Sequence, residues 1–170
     1  HAVGIPGSVA GAFEVYEKFG SLPFKELIQP AIDLARNGFK ITKKQAASLN
    51  KATAKFKKVN TYKTLFEAEW REGSLLKQEE LAQTLERIRD LGRAGFYEGK
   101  TAELFVNYVA QLGGIISRED LQKYTAIWRK PITFKYKDYQ ITSMTLPASG
   151  GICLAQILKS IAPYNISEIE

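Results

Sequence analysis

Gly4-Ile5-Pro6-Gly7-Ser8-Val9-Ala10-Gly11 and, close behind, Gln29-Pro30-Ala31-Ile32-Asp33-Leu34-Ala35-Arg36-Asn37-Gly38-Phe39 say most about how this chain folds. The first stretch is a tight turn feeding a helix. Pro6 fixes φ, Gly4 and Gly7 reach conformations closed to other residues, and Ser8 is placed to cap the first turn. Gly11 is expected to let another backbone come close. The second stretch ends an amphipathic helix, with Leu27, Ala31, Leu34 and Ala35 on one face and Asn37-Gly38 as the stop.

Outward from these stretches the pattern stays helical. Ser8 to Phe19 reads as the first helix, with Val9, Phe13 and Tyr16 on one face and Gly20 as its end. Pro23 suits the first turn of the second helix, which runs to Asn37; Pro30 is expected to kink or split it. Thr42-Lys43-Lys44-Gln45 is a capping box that starts a third helix, whose inward stripe is Ala46, Leu49, Thr53 and Phe56. Lys57 to Gln78 is poorly patterned and reads as a loop with a short helical turn near Leu65-Phe66. Glu79 to Leu91 is a helix with the stripe Leu81, Leu85, Ile88 and the stop Gly92. Lys100 to Leu112 is another, carrying Ala102, Phe105, Val109 and Leu112. Ser117 caps a short helix, with Asp120 answering back to the cap.

The period then changes. Ile132, Phe134 and Tyr136 alternate with Thr133 and Lys135, and Tyr139 and Ile141 resume after Lys137-Asp138, which is a β-hairpin signal. A last helix is expected from about Gly151 to Ala162. The chain therefore reads as mainly α with one small β-hairpin. No repeat, low-complexity tract or linker divides it, so residues 1–170 are expected to form a single fragment.

With 170 residues, of which 45% are hydrophobic, the chain is long enough to bury a sizeable core. No apolar run approaches the roughly 18 residues that would span a bilayer. The chain opens on His1 rather than Met, with no signal peptide and inside a glycine-turn motif, so excision from a longer protein is expected. Cys153 is the only cysteine and His1 the only histidine, which excludes an internal disulfide, a cysteine metal cluster and a Ser–His or Cys–His machine. Cys153 reads as a small apolar residue on a helix.

The net charge of +6 is concentrated. Arg36, Lys40, Lys43, Lys44, Lys51, Lys55, Lys57, Lys58 and Lys63 follow one another without an intervening Asp or Glu. Aromatic residues are sparse among them, and no nucleic-acid motif accompanies them. A solvated face is expected, giving only weak, salt-sensitive polyanion binding.

The remaining motifs resolve into structure rather than chemistry. Gly99-Lys100-Thr101 has the tail of a phosphate-binding loop but lacks its earlier glycine, since Ala94 stands there, and lacks a preceding strand. Gly4-x-x-Gly7-x-x-x-Gly11 misses the close-set first pair of the dinucleotide fingerprint. Glu79-Glu80 and Glu119-Asp120 lie in helix first turns, where they oppose the helix dipole. Asn165-Ile166-Ser167 fits a glycosylation sequon. Ser149-Gly150-Gly151, at a helix start, offers a hydroxyl and backbone N–H groups of the kind that hold an oxyanion, yet no base is near in sequence. Ser149 is expected to cap the helix.

Taken with Gly113-Gly114-Ile115-Ile116-Ser117-Arg118-Glu119-Asp120-Leu121, Tyr124 and Leu146-Pro147-Ala148-Ser149-Gly150-Gly151, the two opening stretches resemble the γ-glutamyltranspeptidase family. Their order and approximate spacing are similar to its large subunit, from about Gly4 to about Leu158. The chain departs from the family mainly at Leu146-Pro147-Ala148, where a more proline-rich run is common.

The resemblance implies the helical portion of the large subunit of an αββα N-terminal nucleophile hydrolase, with the hairpin bordering the sandwich. It also implies a precursor that cleaves itself, and a small subunit whose new N-terminal threonine attacks γ-glutamyl amides such as glutathione, its α-amino group acting as base. The acyl group then passes to water or to an amino acid or peptide acceptor. By the same resemblance the nucleophile and oxyanion groups fall downstream of Glu170, and the arginine for the substrate carboxylate falls upstream of His1. No catalytic, substrate-binding, cofactor-binding or metal residue is therefore assigned within this chain, and no cofactor is implied. Expected partners are the rest of the large subunit and the small subunit, with no nucleic acid and no membrane span, in a periplasmic or secreted protein. The alternative from composition is a free-standing basic helical module that binds an anionic partner.

Overall fold

The computed structural model describes residues 3–165 and divides between Ala126 and Ile127 into two compact units. The first unit holds α1 (Ser8–Phe19), α2 (Phe24–Asn37), α3 (Lys43–Val59), α4 (Glu79–Leu91), α5 (Ala94–Tyr97), α6 (Gly99–Gln111) and α7 (Arg118–Lys123). A 3-10 turn at Leu65–Glu67 lies between α3 and α4. Two short strands, β1 (Phe39–Lys40) and β2 (Leu75–Leu76), pair antiparallel with Phe39 opposite Leu76. Strands of two residues have no alternation to read, so the sequence does not anticipate β1 between α2 and α3, nor β2 within the stretch expected to be loop. α3 also continues to Val59, two residues beyond the expected start of that loop.

Two apolar clusters organise the first unit. Ala10, Tyr97, Ala102, Ile116 and Leu121 form one, drawn from α1, α5, α6, α7 and the approach to α7. Ile41, Ala46, Trp70 and Leu76 form the other, with Leu49 and Phe66 packed on it. Phe56 joins from the expected stripe of α3, its ring 6.1 Å from that of Phe66. The Asn50 amide fastens α3 to the loop carrying Trp70: it donates to the Trp70 carbonyl at 2.8 Å and accepts from the Trp70 N–H at 2.9 Å.

α2 lies along α4, and this contact decides which stripe of each helix is buried. The buried residues of α2 are Ile32 and Ala35, with Ile28 half-covered, whereas Leu27, Ala31 and Leu34 are exposed. On α4 the buried residues are Ala82 and Ile88, and Leu81 is exposed. Each expected stripe is therefore borne out in part: Ala35 and Ile88 are buried as expected and Leu85 is half-buried, while Ile32 and Ala82 take the places expected for Ala31 and Leu81. Pro30 does not split α2, which remains one helix. On α6, Ala102 is buried as expected, but Leu112 lies past the helix end and is exposed.

The second unit is β3 (Ile132–Tyr136) paired antiparallel with β4 (Tyr139–Ser143), and α8 (Gly150–Ile161) packed on them. The register sets Phe134 opposite Ile141 and Tyr136 opposite Tyr139, so Lys137-Asp138 is the expected turn. Gly151 sits beneath the Met144 carbonyl, where a Cβ would collide with it. That close approach lets α8 seat against the hairpin.

Candidate functional site

The glycine turn that opens the chain is held by a tyrosine far along it. Gly7 occupies the N-cap of α1 and offers no capping side chain; Ser8 is the first helical residue and does not cap, contrary to expectation. The Tyr97 hydroxyl takes that role. It accepts from the Ala10 N–H at 3.1 Å, 87 residues away in sequence, and donates to the Pro6 carbonyl at 2.6 Å. Tyr97 is 1% exposed, and burial pushes its phenol above the ordinary value; the Ala10 N–H and Arg93 pull the other way.

Arg93 lies 4.7 Å over the Tyr97 ring and donates to the carbonyls of Tyr124 and Gln122. Tyr97 and Tyr124 stack at 5.9 Å. A Cβ at Gly7 would meet the Tyr124 hydroxyl, so this glycine is required by steric fit. Gly11 has open space where its Cβ would be, so no other backbone approaches it as expected.

In Gly99-Lys100-Thr101 the threonine hydroxyl is engaged within the protein. It donates to the Gly95 carbonyl at 2.8 Å and accepts from Arg87 Nε at 2.8 Å. Glu79 lies 3.4 Å from Arg36, whose guanidinium also grips Glu86 with two bonds of 2.7 Å. That grip holds the Glu86 carboxyl below the usual range. Asp120 completes the expected capping box with Ser117. Cys153 is exposed on α8 rather than packed. His1 and most of the Asn165-Ile166-Ser167 sequon lie outside the described residues.

Ser149 is the N-cap of α8, but its side chain makes no capping bond, which corrects the expectation. A groove of about 670 Å³ lies nearby, lined by Ile127, Arg129 and the segment Thr142 to Pro147, where the Leu146-Pro147 bond is cis. Arg129 is the charged group in this lining, and Ser149 is not part of it. Hydroxyls and one guanidinium without a general base can hold an anion but cannot activate a nucleophile. Among the described residues no three His, Cys, Asp or Glu side chains converge to hold a metal. Sequence reasoning missed Tyr97, Arg93 and Arg129. For Tyr97 the available signal was an aromatic pair, Phe96-Tyr97, following Gly95 in a span left unassigned.

The described residues form a helical scaffold in which the opening glycine turn is held by Tyr97. The γ-glutamyltranspeptidase family profile matches residues 1–170. The glutathione hydrolase proenzyme of Pseudomonas aeruginosa is 40% identical over 157 residues, covering 92% of this chain and 28% of that protein. The corresponding proenzyme of Escherichia coli is 36% identical over 174 residues, covering 98% of this chain and 30% of that protein. The crystal structure of Helicobacter pylori γ-glutamyltranspeptidase superposes with a TM-score of 0.89 at 41% identity, over 98% of this chain and 49% of that one. The chain belongs to the γ-glutamyltranspeptidase family, and it spans just under a third of the length of these curated relatives.

Proposed function

We propose that residues 1–170 are a structural segment of the large subunit of a γ-glutamyltranspeptidase. The parent protein cleaves γ-glutamyl amides such as glutathione and passes the glutamyl group to water or to an amino acid or peptide acceptor. Its precursor cleaves itself to expose the threonine nucleophile of the small subunit, and the mature enzyme works in the periplasm or outside the cell. Within it this chain supplies no catalytic residue. Its contribution is to hold the glycine turn and the hairpin in place against the remaining parts of the enzyme.

The supporting observation is the match over 92% and 98% of the chain to proteins more than three times its length. The test compares two purified proteins on a chromogenic γ-glutamyl anilide: the full-length gene product and the isolated segment. The full-length protein is expected to resolve into two chains, the smaller beginning with threonine, and to turn substrate over. The isolated segment is expected to show no turnover. Activity in the segment, or a full-length protein that neither self-cleaves nor acts on the anilide, overturns the proposal.

A further inference from the structure

The basic residues of α3 are ordered, not scattered. At 100° per residue, Lys44, Lys51, Lys55 and Lys58 fall within an arc of about 60° and along about 21 Å of helix. All four are exposed. The arc lies diametrically opposite the stripe Ala46, Leu49 and Phe56, which faces the second apolar cluster and the Phe66 ring. No acidic residue occurs between Asp33 and Glu67, and none of the four lysines is in an ion pair among the described residues. An ordinary solvated face mixes both signs; this one does not. At the C-terminal end of the row, Val59 and Tyr62 are 64% and 62% exposed.

We infer that this face of α3 docks on an anionic lipid surface. The row is straight and lies on a convex helix, so a planar array of anionic headgroups meets all four ammonium groups at once. Lysine stems reach out to such headgroups while the helix stays above them. Val59 and Tyr62 then enter the interfacial layer, where an aliphatic side chain and a tyrosine ring are both favourable. A soluble polyanion makes no use of that apolar tip. Single-stranded nucleic acid, moreover, needs aromatic platforms between the cations, and none stands between Lys44 and Lys58 except Phe56, which is turned inward. The apolar stripe of α3 is committed to the protein interior, so attachment is electrostatic, reversible and sensitive to salt.

The experiment is co-sedimentation of the full-length protein with phosphatidylcholine vesicles, with and without phosphatidylglycerol. Binding is expected only with phosphatidylglycerol and is expected to fall as salt is raised. Each lysine changed to glutamine is expected to weaken partitioning about fivefold at low salt. The combined Lys44→Gln, Lys51→Gln, Lys55→Gln, Lys58→Gln variant is expected to lose several hundredfold, on the order of the product of the single effects. Circular dichroism checks that it is folded; should it not be, Lys51→Gln and Lys55→Gln singly carry the test. Val59→Ser with Tyr62→Ser is expected to weaken binding without changing its salt dependence. Equal binding to neutral vesicles, or undiminished binding by the lysine variants, overturns the inference. So does tighter binding to single-stranded DNA or poly-glutamate at the same salt, which would make the partner a soluble polymer.

Discussion

Replacing Tyr97 with phenylalanine removes one oxygen and leaves the ring packing intact. That oxygen serves two backbone groups: the Ala10 N–H in the first turn of α1 and the Pro6 carbonyl before it. Ala10 is 3% exposed, so its N–H has no route to water once the hydroxyl is gone. A buried donor left without a partner costs about 1–3 kcal/mol, and a lost helix cap about 0.5–2 kcal/mol. These describe the same bond and are not added; about 2 kcal/mol is the working figure. It corresponds to a roughly thirtyfold larger open population.

Hydrogen exchange read by mass spectrometry on peptides covering residues 7–20 of the full-length protein measures that population. Protection of α1 is expected to fall by about that factor in Tyr97→Phe, with α3 unchanged. The alkaline limb gives a second readout. Burial raises the Tyr97 phenol above its ordinary value of about 10. Because the folded value lies above the unfolded one, the associated stability is complete below about pH 10 and is lost as pH rises through the folded value. Tyr97→Phe is expected to remove that step. Unchanged α1 exchange in Tyr97→Phe, beside collapse in Tyr97→Ala, would show that only the ring matters and refute the capping role.

Other outcomes follow from the same geometry. Gly7→Ala is expected to cost about 1–3 kcal/mol by overpacking against Tyr124, and Tyr124→Phe, which deletes the nearest atom, is expected to restore part of it in urea unfolding of the double variant. Ser149→Ala is expected to shift stability by less than about 0.5 kcal/mol and to leave self-cleavage and turnover of the full-length protein unchanged, because the hydroxyl makes no cap bond. Arg36 holds the Glu86 carboxyl low, so its stabilisation is present above the unfolded value of about 4.3 and is lost as pH falls through the folded one. Glu86→Gln is accordingly expected to flatten the acid limb of a melting-temperature profile.

How much of this was legible in the sequence depends on how local each cause is. The capping boxes at Thr42 and Ser117 are closed by residues three positions away, and both form as the sequence predicts. The hairpin register follows from alternation and a two-residue turn. The buried stripes of α2 and α4 are legible only in part: Ala35 and Ile88 are buried as expected, but Ala31 and Leu81 are not, because each helix carries apolar residues on adjacent rows. Packing between α2 and α4 settles which row turns inward, and Ala82 rather than Leu81 is buried. Strands of two residues leave no period to detect. For the candidate site, the absence of a general base near Ser149 was readable from composition, whereas Arg129 enters the groove lining only through the fold.

The helix starts show why the glycine turn, conspicuous in sequence, remained unexplained there. α1 and α2 begin after Gly7 and Pro23, neither of which has a side-chain acceptor for the first free N–H groups. In both cases a tyrosine hydroxyl supplies it: Tyr97 accepts from Ala10, and Tyr16, at the other end of α1, accepts from Phe24 at 3.0 Å. Capping by a distant residue makes the start of α1 conditional on α5 being in place, and the start of α2 conditional on α1. A serine at the N-cap would satisfy α1 by itself, but its Cβ would strike Tyr124 and separate the turn from the cluster around Tyr97. The glycine therefore exchanges a local cap for a long-range one. The turn and the Gly95-Phe96-Tyr97 segment, unrelated when read along the chain, are thereby fixed to each other as one structural element.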